Sequence, residues 1–196
     1  MVVYLIGGMP AAGKDTLADL ISKYVAARII SVSRDILIPL VDDKVFQEKT
    51  ERVLSIDLSF IRQGNYSSSR ESLIALGDDL NHALKPTPYA HFSDLAYLLY
   101  GDSLIIPSFR QKTMLQHLQK EQIKYKTLFV ECEKEVRHQR WKQRNNLTEE
   151  EMTTQDDSEF SKYVNPLLQE IKFDHHIDNS SSISDLEKQI LGLIQR

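Results

Sequence analysis

Short, uninterrupted apolar runs alternate along the chain with segments in which apolar residues recur every three or four positions. Val2–Ile6, Arg28–Val32, Ser103–Pro107, Lys126–Glu131 and Phe173–Asp178 are of the first kind, with the length and β-branched content of buried strands. Lys14–Val25 is of the second kind, with Leu17, Ala18, Leu20, Ile21 and Val25 at helical spacing. So are Arg110–Glu121 (Met114, Leu115, Leu118) and Ile183–Ile194 (Ile183, Leu186, Ile190, Leu191, Ile194). Strands alternating with helices predict an α/β fold, a five-stranded parallel sheet with helices on both faces in three layers.

Two interruptions break the alternation. Residues 36–100 read as a helical insertion able to hold a substrate, containing a helix that begins near Arg70 after the Ser67-Ser68-Ser69 start signal and is patterned Leu73, Leu76, Leu80, Leu84. Within it, 41–65 fits no recognisable pattern. Residues 145–161 are polar and read as a short helical lid, with Thr148 as N-cap and Glu151 three residues later. At 196 residues, one domain over 1–196 is expected.

Composition narrows the partners. Hydrophobic residues make up 41% and charged residues 27%, a globular balance, and no apolar stretch approaches the ~20 residues of a membrane span. The first apolar run follows Met1 without a basic region and stops at Gly7-Gly8, which reads as a strand and not a signal peptide. A net charge of −4 argues against a general nucleic-acid binder. The single Cys132 allows no intrachain disulfide, follows a strand as a packed small residue without an activating neighbour, and fits a cytoplasmic setting. No exposed heptad or apolar face announces an oligomer.

Gly8-Met9-Pro10-Ala11-Ala12-Gly13-Lys14 carries the chemistry: two glycines five apart, then lysine, between a buried strand and an amphipathic helix. Such a loop wraps a polyphosphate in backbone N–H groups, which side chains at the glycines would obstruct, and the helix N-terminus adds partial positive charge. Lys14 is then placed to reach the β- and γ-phosphates of ATP. Asp15 stands where Ser or Thr normally offers a hydroxyl to Mg2+, with Thr16 next. Two readings of Asp15 stay open, a metal ligand or an acidic first-turn residue favoured by the helix dipole.

With its Gly-Lys-Asp-Thr, this loop resembles that of phage deoxynucleoside monophosphate kinases and of dephospho-coenzyme-A-kinase-like proteins. Further short segments follow in the order of that group: Ser33-Arg34-Asp35 after the second strand, Ser69-Arg70-Glu71 opening a Leu-Gly helix, and Ile105-Ile106-Pro107-Ser108-Phe109-Arg110. Phe129-Val130-Glu131 followed by Arg137, Arg140 and Arg144 resembles the strand and Arg-rich lid entrance, and Asp178-Asn179-Ser180 the turn beside the adenine. The resemblance implies a P-loop kinase fold that uses ATP and Mg2+. It places nucleotide on Gly8 through Thr16, Arg137 and Asn179, substrate on Ser33, Arg34, Asp35, Arg70 and Arg110, and metal on Asp15 and Thr16. The third strand departs from the pattern by ending in Pro107 and Ser108, with no acidic residue.

Phosphoryl transfer is positioning and electrostatics, so arginines converging from separate segments are the expected machinery. Lys14, Arg110, Arg137, Arg140 and Asp35 are the catalytic candidates. Arg137, Arg140 and Arg144 share one helix face, as a phosphate clamp or as a solvated basic face paired with Glu131, Glu133 and Glu135. Asp35 is an acid–base partner for a substrate hydroxyl or a positioning group. Gln155, Asp156, Asp157 and Glu159 read as solvated or packing residues, Trp141 as packing at the lid base, and His175 and His176 as pointing to opposite faces. Three functions are carried forward: a (deoxy)nucleoside-monophosphate kinase, a dephospho-coenzyme-A kinase, and an ATP-binding regulatory protein without small-molecule kinase activity.

Overall fold

The structure is a computed structural model and describes residues 2–54, 57–83, 103–107, 109–110, 112–145 and 148–194. Leu84 and the remainder of the expected insertion to Tyr100, together with Ser108 and Leu147, lie outside the described residues. Five strands, β1 (Val3–Gly8), β2 (Ala27–Ile29), β3 (Ser103–Ile106), β4 (Tyr125–Glu131) and β5 (His175–Asp178), form one sheet in the order β2-β3-β1-β4-β5. Every pairing is parallel, and β1 lies at the centre.

Alternation along the strands sorts side chains onto two faces. Tyr4, Ile6, Ile105, Leu128, Val130 and Ile177 share one core with helix α1 (Lys14–Tyr24) and the C-terminal helix Ile183–Ile194, through Leu17, Ile21, Leu186 and Ile190. On the other face the rings of Phe109, Phe129 and Phe173 meet, with Phe129–Phe173 centroids 5.2 Å apart. A side chain at Gly7 would press on Phe173 and Leu167 there. Each wholly buried Leu or Ile contributes about 2 kcal/mol.

Strand β3 stops one residue short of its apolar run, and β2 and β5 are shorter by two or more for a local reason in each case. After Ile29 the Ser31 N–H donates to Asp35 Oδ2 at 2.7 Å and the Arg34 N–H donates to Ser31 Oγ, so 32–37 coils into a π-helical turn. Before His175, Thr127 donates from N and Oγ1 to Asp174 Oδ2 at 2.7 and 2.9 Å, and Asp174 N–H donates back to Thr127 Oγ1. Side-chain bonds replace the ladder at that point.

The described residues group into two compact units. The first, Met1–Ile29, Ser103–Lys112 and Ile123–Arg196, holds the sheet. It also contains α7 (Lys134–Asn145), α8 (Glu149–Glu159), a second π-helical turn (Phe160–Val164), α9 (Asn165–Glu170) and α10, the C-terminal helix Ile183–Ile194. The expected start of α8 is present in full: Thr148 Oγ1 accepts from Glu151 N–H while Thr148 N–H donates to the Glu151 carboxylate.

The second unit, Ile30–Asp102 and Thr113–Gln122, is helical where it is described. The patternless stretch 41–65 folds largely as short helices, α2 (Ile38–Asp42), α3 (Lys44–Leu54) and α4 (Ser59–Gln63), and α5 (Arg70–Ala83) follows. Leu73, Leu76 and Leu80 of α5 are buried as their spacing predicts, as are Ile36, Leu40, Leu58 and Ile61. Helix α6 (Lys112–Lys120) follows β3.

Candidate functional site

The chain leaves β1 at Gly8, in the middle of the sheet, and enters α1 through Gly13. Gly8 has φ +142°, and a Cβ there would lie 2.7 Å from the Val130 carbonyl oxygen of the neighbouring strand. Gly13 sits in the left-handed region at φ +95° as the N-cap of α1, and Ala11 between them also has positive φ, 57°. These conformations turn the backbone into a tight loop over the helix N-terminus, the concave nest of amides that suits an anion.

Lys14 Nζ folds back across the loop and donates to the carbonyls of Gly8 (3.0 Å) and Met9 (2.7 Å). Burial pushes its pKa down to about 8; Arg110 and Arg137 lower it too, while Asp15 and Glu159 oppose the shift. Lys14 is thus a desolvated cation held by loop carbonyls, with Arg110 and Arg137 near enough to act on its charge. Asp15 is exposed and Thr16 half-buried in the first turn of α1. Among the described residues no group of three or more His, Cys, Asp or Glu side chains could hold a metal ion.

The arginines divide by what they touch. Arg137, on α7, is 5% exposed and grips Asp156 of α8 with both terminal nitrogens at 2.7 Å, while Nη1 also donates to the Pro10 carbonyl of the loop at 3.3 Å. It is therefore neither solvated nor paired with Glu131, Glu133 or Glu135. Arg110, beyond β3, pairs with Glu159 one turn further along α8 at 2.8 Å. Arg140 donates to the Cys132 sulfur at 3.3 Å, so the cysteine has a cationic neighbour that the sequence did not indicate. Burial nonetheless raises the Cys132 pKa, Arg140 and Arg137 offsetting it only in part. Arg144 is exposed.

Asn179, expected beside the nucleotide base, is 5% exposed and donates its amide to the Ala12 carbonyl at 2.7 Å. Trp141 is buried, as a packing residue should be. His176 is exposed and bonded to Glu131, while His175 is half-buried. In the second unit Arg34 forms a two-pronged pair with Asp35, both contacts at 3.1 Å, Ser33 is exposed and Arg70 opens α5. The first unit thus assembles Gly8–Thr16, Arg110, Arg137, Arg140 and Asn179, and the second carries Ser33, Arg34, Asp35 and Arg70.

No protein-family model matches the chain, and no curated protein matches it. Solved structures do. The APS kinase CysC of Mycobacterium tuberculosis, in complex with AMPPNP and APS, superposes with a TM-score of 0.52 at 11% identity over 99% of this chain and 97% of that one. Shikimate kinase of Acinetobacter baumannii, in complex with shikimate, gives 0.52 at 16% identity over 99% and 92%. Dephospho-CoA kinase of Campylobacter jejuni gives 0.50 at 18% identity over 98% and 95%. The chain has the P-loop kinase fold.

Within this P-loop kinase fold, sequence reasoning left the partners of two acidic residues unassigned. Asp156 and Glu159 read as solvated or packing positions, yet they lie three apart on one face of α8 and meet Arg137 and Arg110. Their spacing was the only available signal, and it names no partner. Among the described residues no helix is long and apolar enough to cross a membrane.

Proposed function

We propose that this chain is an ATP-dependent phosphotransferase acting in the cytoplasm on a small acceptor, a (deoxy)nucleoside monophosphate. The observation that carries the reading is Lys14: a desolvated cation, pKa about 8, held by carbonyls of a loop with positive φ at Gly8, Ala11 and Gly13. Solved proteins of the same fold named for APS, shikimate and dephospho-CoA support a small-molecule acceptor.

The loop amides and the N-terminus of α1 bind the polyphosphate, and Lys14 exchanges its carbonyl partners for phosphate oxygens. Arg110 and Arg140 add positive charge where negative charge develops on the transferring group. Asp15 and Thr16 are hard oxygen donors suited to Mg2+, which needs only one or two protein ligands beside the phosphates. Bound there, the ion would neutralise phosphate charge.

For the acceptor, Ser33, Arg34 and Arg70 of the second unit are residue types that suit a phosphate-bearing substrate. Asp35 uses both carboxylate oxygens on Ser31 and Arg34, which favours positioning over acid–base chemistry and so a monophosphate over the hydroxyl of dephospho-coenzyme A.

The test is ATP consumption with Mg2+ across nucleoside monophosphates, deoxynucleoside monophosphates and dephospho-coenzyme A, for the protein and its Lys14→Ala form. Turnover stimulated by a monophosphate and lost in the variant is the expected result. Stimulation by dephospho-coenzyme A alone would reassign the acceptor. ATP binding with no stimulation by any acceptor would leave a regulatory nucleotide binder.

A further inference from the structure

The phosphate loop is held from behind by a residue on the far side of β4. Asn179 follows β5 and its side-chain amide reaches the Ala12 carbonyl at 2.7 Å, across 167 positions of sequence. A carbonyl only accepts, so the group facing it is the NH2 of the amide. Asn179 is itself immobilised. Its N–H donates to the Glu131 carbonyl at 2.8 Å and its carbonyl accepts from Cys132 Sγ at 3.3 Å. On one side the Asp178 backbone N–H donates to Gln189 Oε1 and its carbonyl accepts from Gln189 Nε2, and on the other its carboxylate accepts from Ser180 N–H and Oγ.

A trans peptide is planar, so its C=O and N–H point in opposite directions. Drawing the Ala12 carbonyl outward therefore aims the Gly13 N–H to the concave side of the loop, where phosphate binds. Gly13 is matched to this arrangement: besides its positive φ, a Cβ there would lie 2.0 Å from Asn179 Nδ2. Asn179 as a residue is 5% exposed, and its side-chain amide is engaged by the loop.

We propose that Asn179 is a positioning residue for phosphate binding, acting through the Ala12 carbonyl to aim the Gly13 amide. The proposal rests on the phosphate-binding reading of this loop. Asparagine suits the task because aspartate, equal in size, has no proton to donate and would set a carboxylate against the carbonyl oxygen.

Affinity for ATP and for inorganic pyrophosphate, measured by calorimetry on the full chain and on Asn179→Asp and Asn179→Ala, separates donation from packing. Loss of the donor predicts affinity weaker by roughly fivefold in Asn179→Ala and by tenfold or more in Asn179→Asp. The specificity constant for ATP should fall in parallel while KM for the acceptor stays unchanged. If Asn179→Asp binds like the wild type and only Asn179→Ala is impaired, packing is the explanation and the proposal fails. Should Asn179→Asp not fold, Asn179→Ser, too short to reach Ala12, replaces it, and unchanged affinity overturns the proposal equally. A wild-type protein that binds neither ligand would instead sink the phosphate-binding reading itself.

Discussion

Arg137 and Asp156 form a two-pronged ion pair, both nitrogen–oxygen distances 2.7 Å, with the two residues 5% and 3% exposed. His138 Nε2 adds a 3.0 Å contact to Asp156 Oδ2. Burial raises the Asp156 pKa, but hydrogen bonds from Arg137 and His138 more than offset it and hold the carboxyl below its ordinary range. Through Arg137 Nη1 the pair also reaches the Pro10 carbonyl, so α8 is anchored to the phosphate loop. The helix read from sequence as a lid is tied down in its third turn.

Removing one member leaves the other charged and desolvated. Asp156→Ala is expected to destabilise the protein by about 3–5 kcal/mol, and Arg137→Met with Asp156→Leu to recover most of the loss. Urea unfolding of the two variants checks this; a loss under 1 kcal/mol in the single variant would show the pair to be dispensable.

The phosphate loop was legible because its signal is local: Gly8, Gly13 and Lys14 fall within seven residues, and the flanking periodicity fixes what precedes and follows them. The capping box of Thr148 and Glu151 was legible for the same reason. Asp156 was not, because pairing across 19 positions depends on how α8 folds back on α7. Asn179 could be placed near the site by resemblance, but its partner, Ala12, presents only a backbone carbonyl, which leaves no trace in a sequence. The strand ends at Ile29 and His175 were misjudged because Ser31–Asp35 and Thr127–Asp174 compete with the ladder through side chains.

Lys14 should be a stability liability kept for binding. Its folded pKa, about 8, lies below the usual lysine value, so the unfolded chain binds more protons above pH 8 and stability rises with pH there. Lys14→Met is therefore expected to abolish turnover yet stabilise the unliganded protein by on the order of 1–3 kcal/mol at pH 7. The gap should shrink as pH climbs from about 8 towards the usual lysine range. Thermal melts of both forms across that window check the sign, and a variant less stable at pH 7 would contradict it.

Glu159 pairs with Arg110 at 2.8 Å and opposes the lowering of the Lys14 pKa, so its carboxylate acts on two cations that the proposed function gives to phosphate. Glu159→Gln is expected to bind ATP roughly threefold to tenfold tighter, by removing a negative charge that competes with phosphate for Arg110. Asp157→Asn, which removes the same charge from an exposed position on the same helix, should change affinity little. Equal effects of the two substitutions would reduce Glu159 to a remote contribution to net charge.

The loop is pinned at several of its carbonyls: Gly8 and Met9 by Lys14, Pro10 by Arg137, Ala12 by Asn179. Ordering a flexible chain segment costs roughly 1–2 kcal/mol of conformational entropy per residue. Here that loss falls on folding, when the rest of the first unit is being fixed anyway, and not on each encounter with a ligand. On the proposed function, a polyphosphate would meet amides already in register, and its binding should show little of the unfavourable entropy that accompanies disorder-to-order capture.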